Sequence, residues 1–172
     1  MTSDSSSRKN RFDIAIESIA GLLFLMQIIL LFYFDNFGLN ILIFGIGWLM
    51  IIPSFLLLTL PLRSLSNYSN LSDEGKTDDE TLVVKKGIYG IVRHPLYVGW
   101  MLMSISLILI SQSWLSMICA LIIVPLILII ISHEDRTNTI RFGEEYSQYQ
   151  KEVPLVNIFS GIWRYHRRKR VP

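Results

Sequence analysis

Two short clusters of polar residues flank a long apolar segment, and their residue types suit the binding of a charged small molecule. The first cluster is Arg93 and His94, followed by Pro95 and then Tyr97. Pro95 suits the first turn of a helix, where a missing N–H group costs nothing. The start of that helix would offer N–H groups and a partial positive charge to a carboxylate or a phosphate. Arg93, His94 and Tyr97 would stand beside it as hydrogen-bond donors.

The second cluster is Glu134 and Asp135, which follow the uncharged segment 95–132 almost directly. As one helix, that segment would extend about 57 Å, nearly twice the bilayer core of about 30 Å. It must therefore fold back, and the polar residues 111–113 form the predicted turn. Both ends then emerge at one membrane face, with helix axes about 8–10 Å apart. The pattern predicts an anion-binding helix start opposite an acidic pair, across a gap that suits a small cofactor.

Other interpretations of these residues are open. Arg93 and His94 can anchor a span, the tyrosines around them can form an interfacial aromatic belt, and the acidic pair can be a solvated helix end. The basic and aromatic tail, residues 163–170, predicts a surface anchor for anionic lipid, and nucleic acid is a weaker alternative partner. Cys119 is the sole cysteine, which excludes an intrachain disulfide and a cysteine-rich zinc site. We expect no metal and no nucleic-acid partner.

The elements that must position the two clusters are membrane helices. Of the 172 residues, 51% are hydrophobic and 17% are charged, against about 25% charged in soluble domains. Residues 18–34, 36–62 and 95–132 contain no Asp, Glu, Lys or Arg. With the third stretch folded back, the chain is predicted to be an all-α, multi-pass membrane protein with four spans, about residues 14–34, 40–62, 96–110 and 114–132. The length predicts one domain, residues 1–172.

The basic residues predict the orientation of these spans. All 16 Lys and Arg lie before the first span, in the connection 62–94, or in the tail after residue 132. By the positive-inside rule, both termini and that connection are cytoplasmic. We therefore expect a site built from the cytoplasmic segments 81–97 and 133–154. The membrane would be the plasma membrane in a prokaryote and the endoplasmic reticulum in a eukaryote.

The motifs in these segments resemble those of the isoprenylcysteine carboxyl methyltransferase family. Gly87-x-Tyr89 precedes Arg93-His94-Pro95-x-Tyr97-x-Gly99, and the acidic pair precedes Phe142-Gly-Glu-Glu-Tyr-x-x-Tyr and Val153-Pro154. The resemblance covers about residues 81–154. It implies a membrane methyltransferase that uses S-adenosyl-L-methionine in a pocket closed by cytoplasmic segments, with a lipophilic substrate entering from between the membrane helices.

Carried over to this chain, the resemblance also implies site residues. Glu134 and Arg93 are the expected catalytic residues, and Glu134 is expected to matter more than Asp135. Members specific for prenylcysteine carry an arginine where this chain has Ile130, so Arg136, the nearest cation, is the candidate substrate-binding residue. The expected cofactor-binding residues are Thr81, Leu82, Val83, Val84, Tyr89, His94, Pro95, Leu96, Tyr97 and Glu134.

The first expected acceptor is the carboxylate of a C-terminal isoprenylcysteine or a similar carboxylate. N-methylation of a phospholipid amine and S-methylation of a small thiol are alternatives within the same resemblance. Two further alternatives belong to other classes. One is an NADPH-dependent membrane reductase, because some sterol reductases carry a similar His-Pro-x-Tyr region, and the other is a non-catalytic membrane adaptor.

Overall fold

The computed structural model describes residues 2–33, 40–73 and 87–170, with side chains described for residues 11–33, 40–64 and 87–168. These residues form five α-helices and one 3₁₀ helix and contain no β-strand. The elements are α1 (Thr2–Tyr33), α2 (Ile41–Asp73), the 3₁₀ helix Gly87–Gly90, α3 (Pro95–Ser111), α4 (Trp114–Glu152) and α5 (Ile158–Arg170). The predicted all-α class is confirmed.

Three of the helices contain segments long and apolar enough to cross a membrane. These are Arg11–Tyr33 in α1, Ile41–Ser64 in α2, and α4. The part of α4 up to residue 132 carries no charge, and the charged residues follow it. The predicted third span, residues 96–110, corresponds to α3, which is apolar but has 17 residues, fewer than the roughly 20 that a span usually needs. The helices identify a membrane protein.

The chain divides into two compact units. Unit 1 comprises Met1–Ser54 and Trp100–His133, and unit 2 comprises Phe55–Gly99 and Glu134–Pro172. Unit 1 therefore holds most of the apolar helical segments. Unit 2 holds both polar clusters that the sequence singles out.

Unit 1 buries polar side chains and exposes apolar ones. The fully buried Gln27 side chain donates to the carbonyl oxygen of Ser116 at 2.9 Å and accepts from the Ser104 hydroxyl at 2.8 Å. Leu22 and Leu42 are exposed. This arrangement fits a lipid environment, because hydrocarbon chains solvate apolar side chains while helix contacts use interhelical hydrogen bonds. The polar contacts tie α1 to both α3 and α4.

The break between α3 and α4 is tied to the start of α2. Gln112, in the break, has a φ of 46°. Its side chain accepts a hydrogen bond from the backbone N–H of Asn40 at 3.1 Å and donates to the Asn40 carbonyl oxygen at 2.8 Å. The Asn40 side chain caps α2, since its Oδ1 accepts from the Leu42 N–H at 3.0 Å. The break between α3 and α4 and the residue that caps α2 thus meet within unit 1.

Gly47→Ala should destabilise unit 1. A Cβ at Gly47 would lie 2.8 Å from Ile110 Cγ1 and 3.0 Å from the Ile110 backbone nitrogen, so α2 and α3 would have to separate. Overpacking of this kind typically costs about 1–3 kcal/mol, and we expect a lower melting temperature in detergent. Gly45→Ala is the matched control, because a Cβ there meets nothing within 4 Å. Equal melting temperatures for the two variants would contradict this close contact.

The core of unit 2 depends on a break inside α4. The core side chains are aromatic and aliphatic: Tyr146, Tyr149 and Val153, with Phe142 packed against them. Gly143 has a φ of 58° and a ψ of −129°, a conformation that suits a residue without a Cβ. The break lets the end of α4 fold back on its earlier turns, so that Gln150 Nε2 donates to Thr139 Oγ1 at 3.3 Å.

Candidate functional site

Asp135 is the hub of a polar network in unit 2. Its Oδ2 pairs with Arg93 Nη1 at 2.5 Å and accepts from Gln150 Nε2 at 3.3 Å. Its Oδ1 accepts from His94 Nε2 at 2.8 Å and from the Tyr146 hydroxyl at 2.6 Å. The network is largely buried, because the side chains of Asp135 and His94 are only 14% and 6% exposed. Four donors from two chain segments, residues 93–94 and 146–150, therefore converge on one carboxylate.

The backbone of Arg93 and His94 is held by the chain that precedes α5. The Arg93 N–H donates to the Pro154 carbonyl oxygen at 3.0 Å, and the His94 N–H donates to the Leu155 carbonyl oxygen at 3.3 Å. The His94 carbonyl oxygen in turn accepts from the Val98 N–H at 3.1 Å, which starts the hydrogen-bond ladder of α3. The backbone of both residues is thus held in place directly before α3.

The fold-back of α4 supplies the other two donors. Tyr146 and Gln150 are four residues apart, so they lie on one face of the helix and both reach Asp135. On the same stretch, the Tyr149 hydroxyl donates to the carbonyl oxygen of Tyr89 at 2.7 Å. The end of α4 therefore connects the acidic residue to the 3₁₀ helix.

The surroundings of Asp135 favour its ionised form. Burial raises the pKa of the Asp135 carboxyl, but hydrogen bonds from His94 and Tyr146 and the charge of Arg93 outweigh it, and the pKa is lower than the ordinary value. Burial and the hydrogen bond to Asp135 raise the pKa of Tyr146 to about 12. Burial also raises the pKa of Tyr149. At neutral pH the carboxylate accepts and the tyrosine hydroxyls donate.

The open edge of the network is formed by His94 and Glu134. Because an ionised carboxylate only accepts hydrogen bonds, His94 Nε2 carries the proton that it donates to Asp135. The other ring nitrogen, Nδ1, lies 3.6 Å from Glu134 Oε2, and the Glu134 side chain is 44% exposed. Nδ1 and the Glu134 carboxylate are therefore two of the polar groups that a ligand could contact.

Comparison with known proteins identifies the family. The family model described as phospholipid methyltransferase matches residues 42–145. The chain belongs to this family. Protein-S-isoprenylcysteine O-methyltransferases of Mus musculus and Homo sapiens are each 33% identical to it over 90 residues, which is 52% of this chain and 31% of each relative. Methanethiol S-methyltransferase of Crocosphaera subtropica is 28% identical over 123 residues, which is 69% of this chain and 46% of that protein.

The chain thus spans about a third of the isoprenylcysteine relatives and under half of the methanethiol relative. No solved structure matches the chain. The resemblance to isoprenylcysteine carboxyl methyltransferases is confirmed by the family match and these relatives. Arg93, His94 and Asp135 lie inside the matched residues, whereas Tyr146 and Gln150 lie just beyond them.

The structure places half of the twelve predicted site residues at or beside the network: Arg93, His94, Pro95, Leu96, Tyr97 and Glu134. Tyr89 is half-buried in the 3₁₀ helix and contacts Tyr149 through its carbonyl oxygen. Arg136 is exposed on α4 and is not one of the four donors to the Asp135 carboxylate. Four predicted cofactor-binding residues lie outside the described residues: Thr81, Leu82, Val83 and Val84.

Sequence reasoning missed the central position of Asp135. Consecutive residues of a helix point about 100° apart, so Glu134 and Asp135 cannot both face Arg93 in the same way, and sequence order does not say which one does. Tyr146 had a signal in its three-residue spacing from Tyr149, which places both on one face. No sequence pattern indicated Gln150, because it reaches the Asp135 carboxylate only through the break in α4.

The residues of this family member fit S-adenosyl-L-methionine, whose amino-acid part carries a carboxylate and an ammonium beside the sulfonium. Arg93 Nε is a buried donor without a hydrogen-bond partner among the described residues. The first turn of α3 adds backbone N–H groups that have no partner within the helix. The half-exposed Glu134 carboxylate suits a cation. The donor set therefore matches a ligand with an anionic and a cationic end.

Proposed function

We propose that this family member is an integral membrane methyltransferase that uses S-adenosyl-L-methionine and methylates a lipophilic acceptor. The first candidate acceptor is the carboxylate of a C-terminal isoprenylcysteine. The observation that carries the proposal is the buried network of Arg93, His94 and Asp135 at the start of α3, inside the residues matched to the family. The proposed acceptor is taken from the mouse and human relatives, which are named protein-S-isoprenylcysteine O-methyltransferases.

In this proposal Arg93 and the first turn of α3 bind the carboxylate of the cofactor, because they combine a buried donor with backbone N–H groups. Glu134 faces the cationic groups of the cofactor, its ammonium and sulfonium, and His94 Nδ1 lies 3.6 Å from the Glu134 carboxylate. Asp135 does not touch the cofactor but positions Arg93 and His94. Further cofactor-binding residues are taken from the family resemblance: Thr81, Leu82, Val83, Val84, Tyr89, Pro95, Leu96 and Tyr97.

The chain contributes binding and orientation. When bound, S-adenosyl-L-methionine supplies a methyl group carried on a sulfonium. A carboxylate acceptor is already ionised at neutral pH, so no residue has to remove a proton from it. Arg93 and Glu134 therefore serve to orient the reactants and exclude water, which are effects worth several kcal/mol. Arg136, on the exposed side of α4, is the proposed contact for the acceptor carboxylate.

A small thiol is the second candidate acceptor. The match to methanethiol S-methyltransferase covers 69% of the chain, more than the 52% covered by the isoprenylcysteine relatives. Ile130, which is buried, also stands where the resemblance predicts an arginine for a prenylcysteine carboxylate. A phospholipid amine is a third candidate, in line with the description of the family, and Glu134 or His94 would then have to accept a proton.

Transfer of a labelled methyl group decides among these acceptors. The purified full chain receives labelled S-adenosyl-L-methionine together with a prenylcysteine analogue, methanethiol or total membrane lipid. The proposal predicts a labelled prenylcysteine methyl ester, while label in the thiol or in a lipid amine selects an alternative acceptor. If NADPH instead raises the melting temperature, the protein is a reductase, and if neither ligand does, it is an adaptor. Either result overturns the proposal.

His94→Ala should weaken the binding of S-adenosyl-L-methionine. The change removes Nδ1 from the open edge and also takes a donor from Asp135. A hydrogen bond to a charged group contributes about 1.5–3 kcal/mol, so we expect roughly 10- to 150-fold weaker binding by calorimetry. His166→Ala, which removes an exposed histidine of α5, is the control. Unchanged affinity in a folded His94→Ala protein would refute the role of His94.

We further propose a single methyltransferase domain over residues 1–172 with four spans and both termini in the cytoplasm. The hydrogen bonds between Asn40 and Gln112 support this topology, because they join the two connections that carry no Lys or Arg. The membrane would be the plasma membrane of a prokaryote or the endoplasmic reticulum of a eukaryote. Reporter fusions at Pro172 and within residues 35–40 should report opposite sides, and the same side for both contradicts the span count.

A further inference from the structure

One face of helix α5 packs against the rest of unit 2, and the opposite face is exposed. Gly161 is buried on the packed face, where a Cβ would collide with the Ile91 carbonyl oxygen. On the same face, Arg168 Nη2 donates to the Gly90 carbonyl oxygen at 2.6 Å. Since the helix is anchored to the segment 90–91 by these contacts, its outer face has a fixed orientation within unit 2.

The outer face of α5 begins with large apolar side chains. Phe159 and Trp163 are 88% and 62% exposed, and Ile162 is exposed as well. The spacing of three and four residues places them together on one side of the helix. A cluster of exposed phenylalanine, isoleucine and tryptophan is costly in water, but such residues are typical of helices that lie in the membrane interface.

A cationic cleft lies beside these apolar residues. It has a volume of about 620 Å³ and lies between the end of α4 and α5, lined by Lys151, Glu152, Trp163, Arg164, Arg167 and Arg168. Glu152, its one carboxylate, pairs with Arg168 at 3.2 Å. Arg164 donates to the Lys151 carbonyl oxygen at 3.2 Å. The Arg167 guanidinium lies over the Trp163 ring, 5.5 Å from the ring centroid, which is within the reach of about 6 Å for a cation–π contact.

The charge of the cleft is therefore incompletely balanced. Four cations face one carboxylate, and within the described part of the chain no carboxylate forms an ion pair with Arg164 or Arg167. Arginine is well suited to phosphate, because its planar guanidinium can donate two parallel hydrogen bonds. The cleft thus offers charge and geometry for a phosphate group, and the adjacent Trp163 and Phe159 offer an apolar surface.

We propose that this cleft binds the phosphate-bearing headgroup of an anionic phospholipid, with Phe159, Ile162 and Trp163 in the interfacial layer of the same membrane. Two observations favour a lipid over a free phosphate. An inorganic anion would leave the exposed apolar cluster without a partner, whereas a lipid would contact it. Unit 2 also contains residues 55–64 of the apolar segment of α2, so a membrane crossed by that segment would lie next to the unit. Basic clusters on amphipathic helices recognise anionic lipid in this way. The site is independent of the proposed methyl transfer.

The test uses the purified full chain in neutral detergent and measures the melting temperature as lipid is added. Dioleoylphosphatidylglycerol should raise it in a saturable way, because a ligand that binds the folded state stabilises it. Dioleoylphosphatidylcholine and inorganic phosphate at the same concentration should not. An equal rise with phosphatidylcholine overturns the recognition of charge, and an equal rise with inorganic phosphate overturns the assignment to a lipid.

Variants locate the site. Arg164→Gln/Arg167→Gln should weaken the affinity for phosphatidylglycerol at least tenfold. Both arginines are exposed, so the fold should persist. Arg63→Gln/Arg141→Gln is the control with the same charge change, because these exposed arginines of α2 and α4 lie outside the cleft. Equal effects of the two double variants would reduce the interaction to general charge attraction and overturn the site.

The apolar cluster has its own test. Phe159→Ser should weaken the affinity for phosphatidylglycerol severalfold, because the exposed ring would leave the interfacial layer. Unchanged affinity would remove the apolar cluster from the site. For the unaltered protein, added salt should weaken the binding of phosphatidylglycerol by screening the arginines, and binding that is insensitive to salt would contradict a site built on Arg164 and Arg167.

Discussion

Asp135→Asn should abolish most of the methyl transfer and lower the stability of the protein. The change removes the charge that pairs with Arg93 and accepts from His94, and it leaves the guanidinium buried without a counter-ion. Removing one partner of a buried ion pair typically costs about 3–5 kcal/mol. We expect the lower half of that range, because Asp135 is 14% exposed and asparagine can still accept from Tyr146. The affinity for S-adenosyl-L-methionine should fall at least tenfold.

Glu134→Gln should do less, although the sequence alone predicts the opposite order. Glu134 is 44% exposed, so its replacement should change stability by no more than about 0.5 kcal/mol, while cofactor affinity falls through loss of the charge at the open edge. Glu144→Gln, an exposed acid further along α4, is the control for the loss of one negative charge. Melting temperature, cofactor affinity and methyl transfer are measured for all three. A larger loss of methyl transfer in Glu134→Gln would restore the order predicted from the sequence.

The helical class and the break between α3 and α4 were predictable because they follow from local chemistry. Apolar segments without charge predict membrane helices, and the polar residues 111–113 coincide with the end of α3 and the start of α4. Pro95 stands at the first position of α3 as its missing N–H predicts. The fold-back at Gly143 was not predicted, because glycine can adopt either helical or positive-φ backbone angles and the two glutamates that follow it do not indicate which.

The residues of the site were predictable as a set, but their contacts were not. Arg93 and His94 stand out because they directly precede Pro95 at the edge of an apolar segment. Which of the two acids they contact depends on the rotation of α4 about its axis. The sequence does not determine this rotation, because either acid could be the exposed one and either could be buried with hydrogen-bond donors around it. Gln150 reaches Asp135 only through the fold-back. The hub is therefore a product of tertiary packing.

Gly161→Ala should destabilise unit 2 and disturb the site at a distance. In an unstrained helix the substitution is favourable by about 1 kcal/mol, because alanine is the better helix former. Here the added Cβ would collide with the Ile91 carbonyl oxygen, a backbone atom that cannot rotate away, so α5 would have to shift. The cost of such overpacking is about 1–3 kcal/mol or more, and we expect it to exceed the gain in helix propensity.

The shift should also reach the cofactor. In the segment that leads into α5, the carbonyl oxygens of Pro154 and Leu155 accept hydrogen bonds from the N–H groups of Arg93 and His94. A displaced α5 would therefore shift the backbone from which both side chains extend. We therefore expect a lower melting temperature together with weaker binding of S-adenosyl-L-methionine, measured on the folded protein. Gly21→Ala is the matched control, because a Cβ there meets nothing within 4 Å and should leave both quantities unchanged or raise stability slightly. A Gly161→Ala protein that melts at or above the temperature of the unaltered chain would show that α5 does not pack on Ile91 this closely.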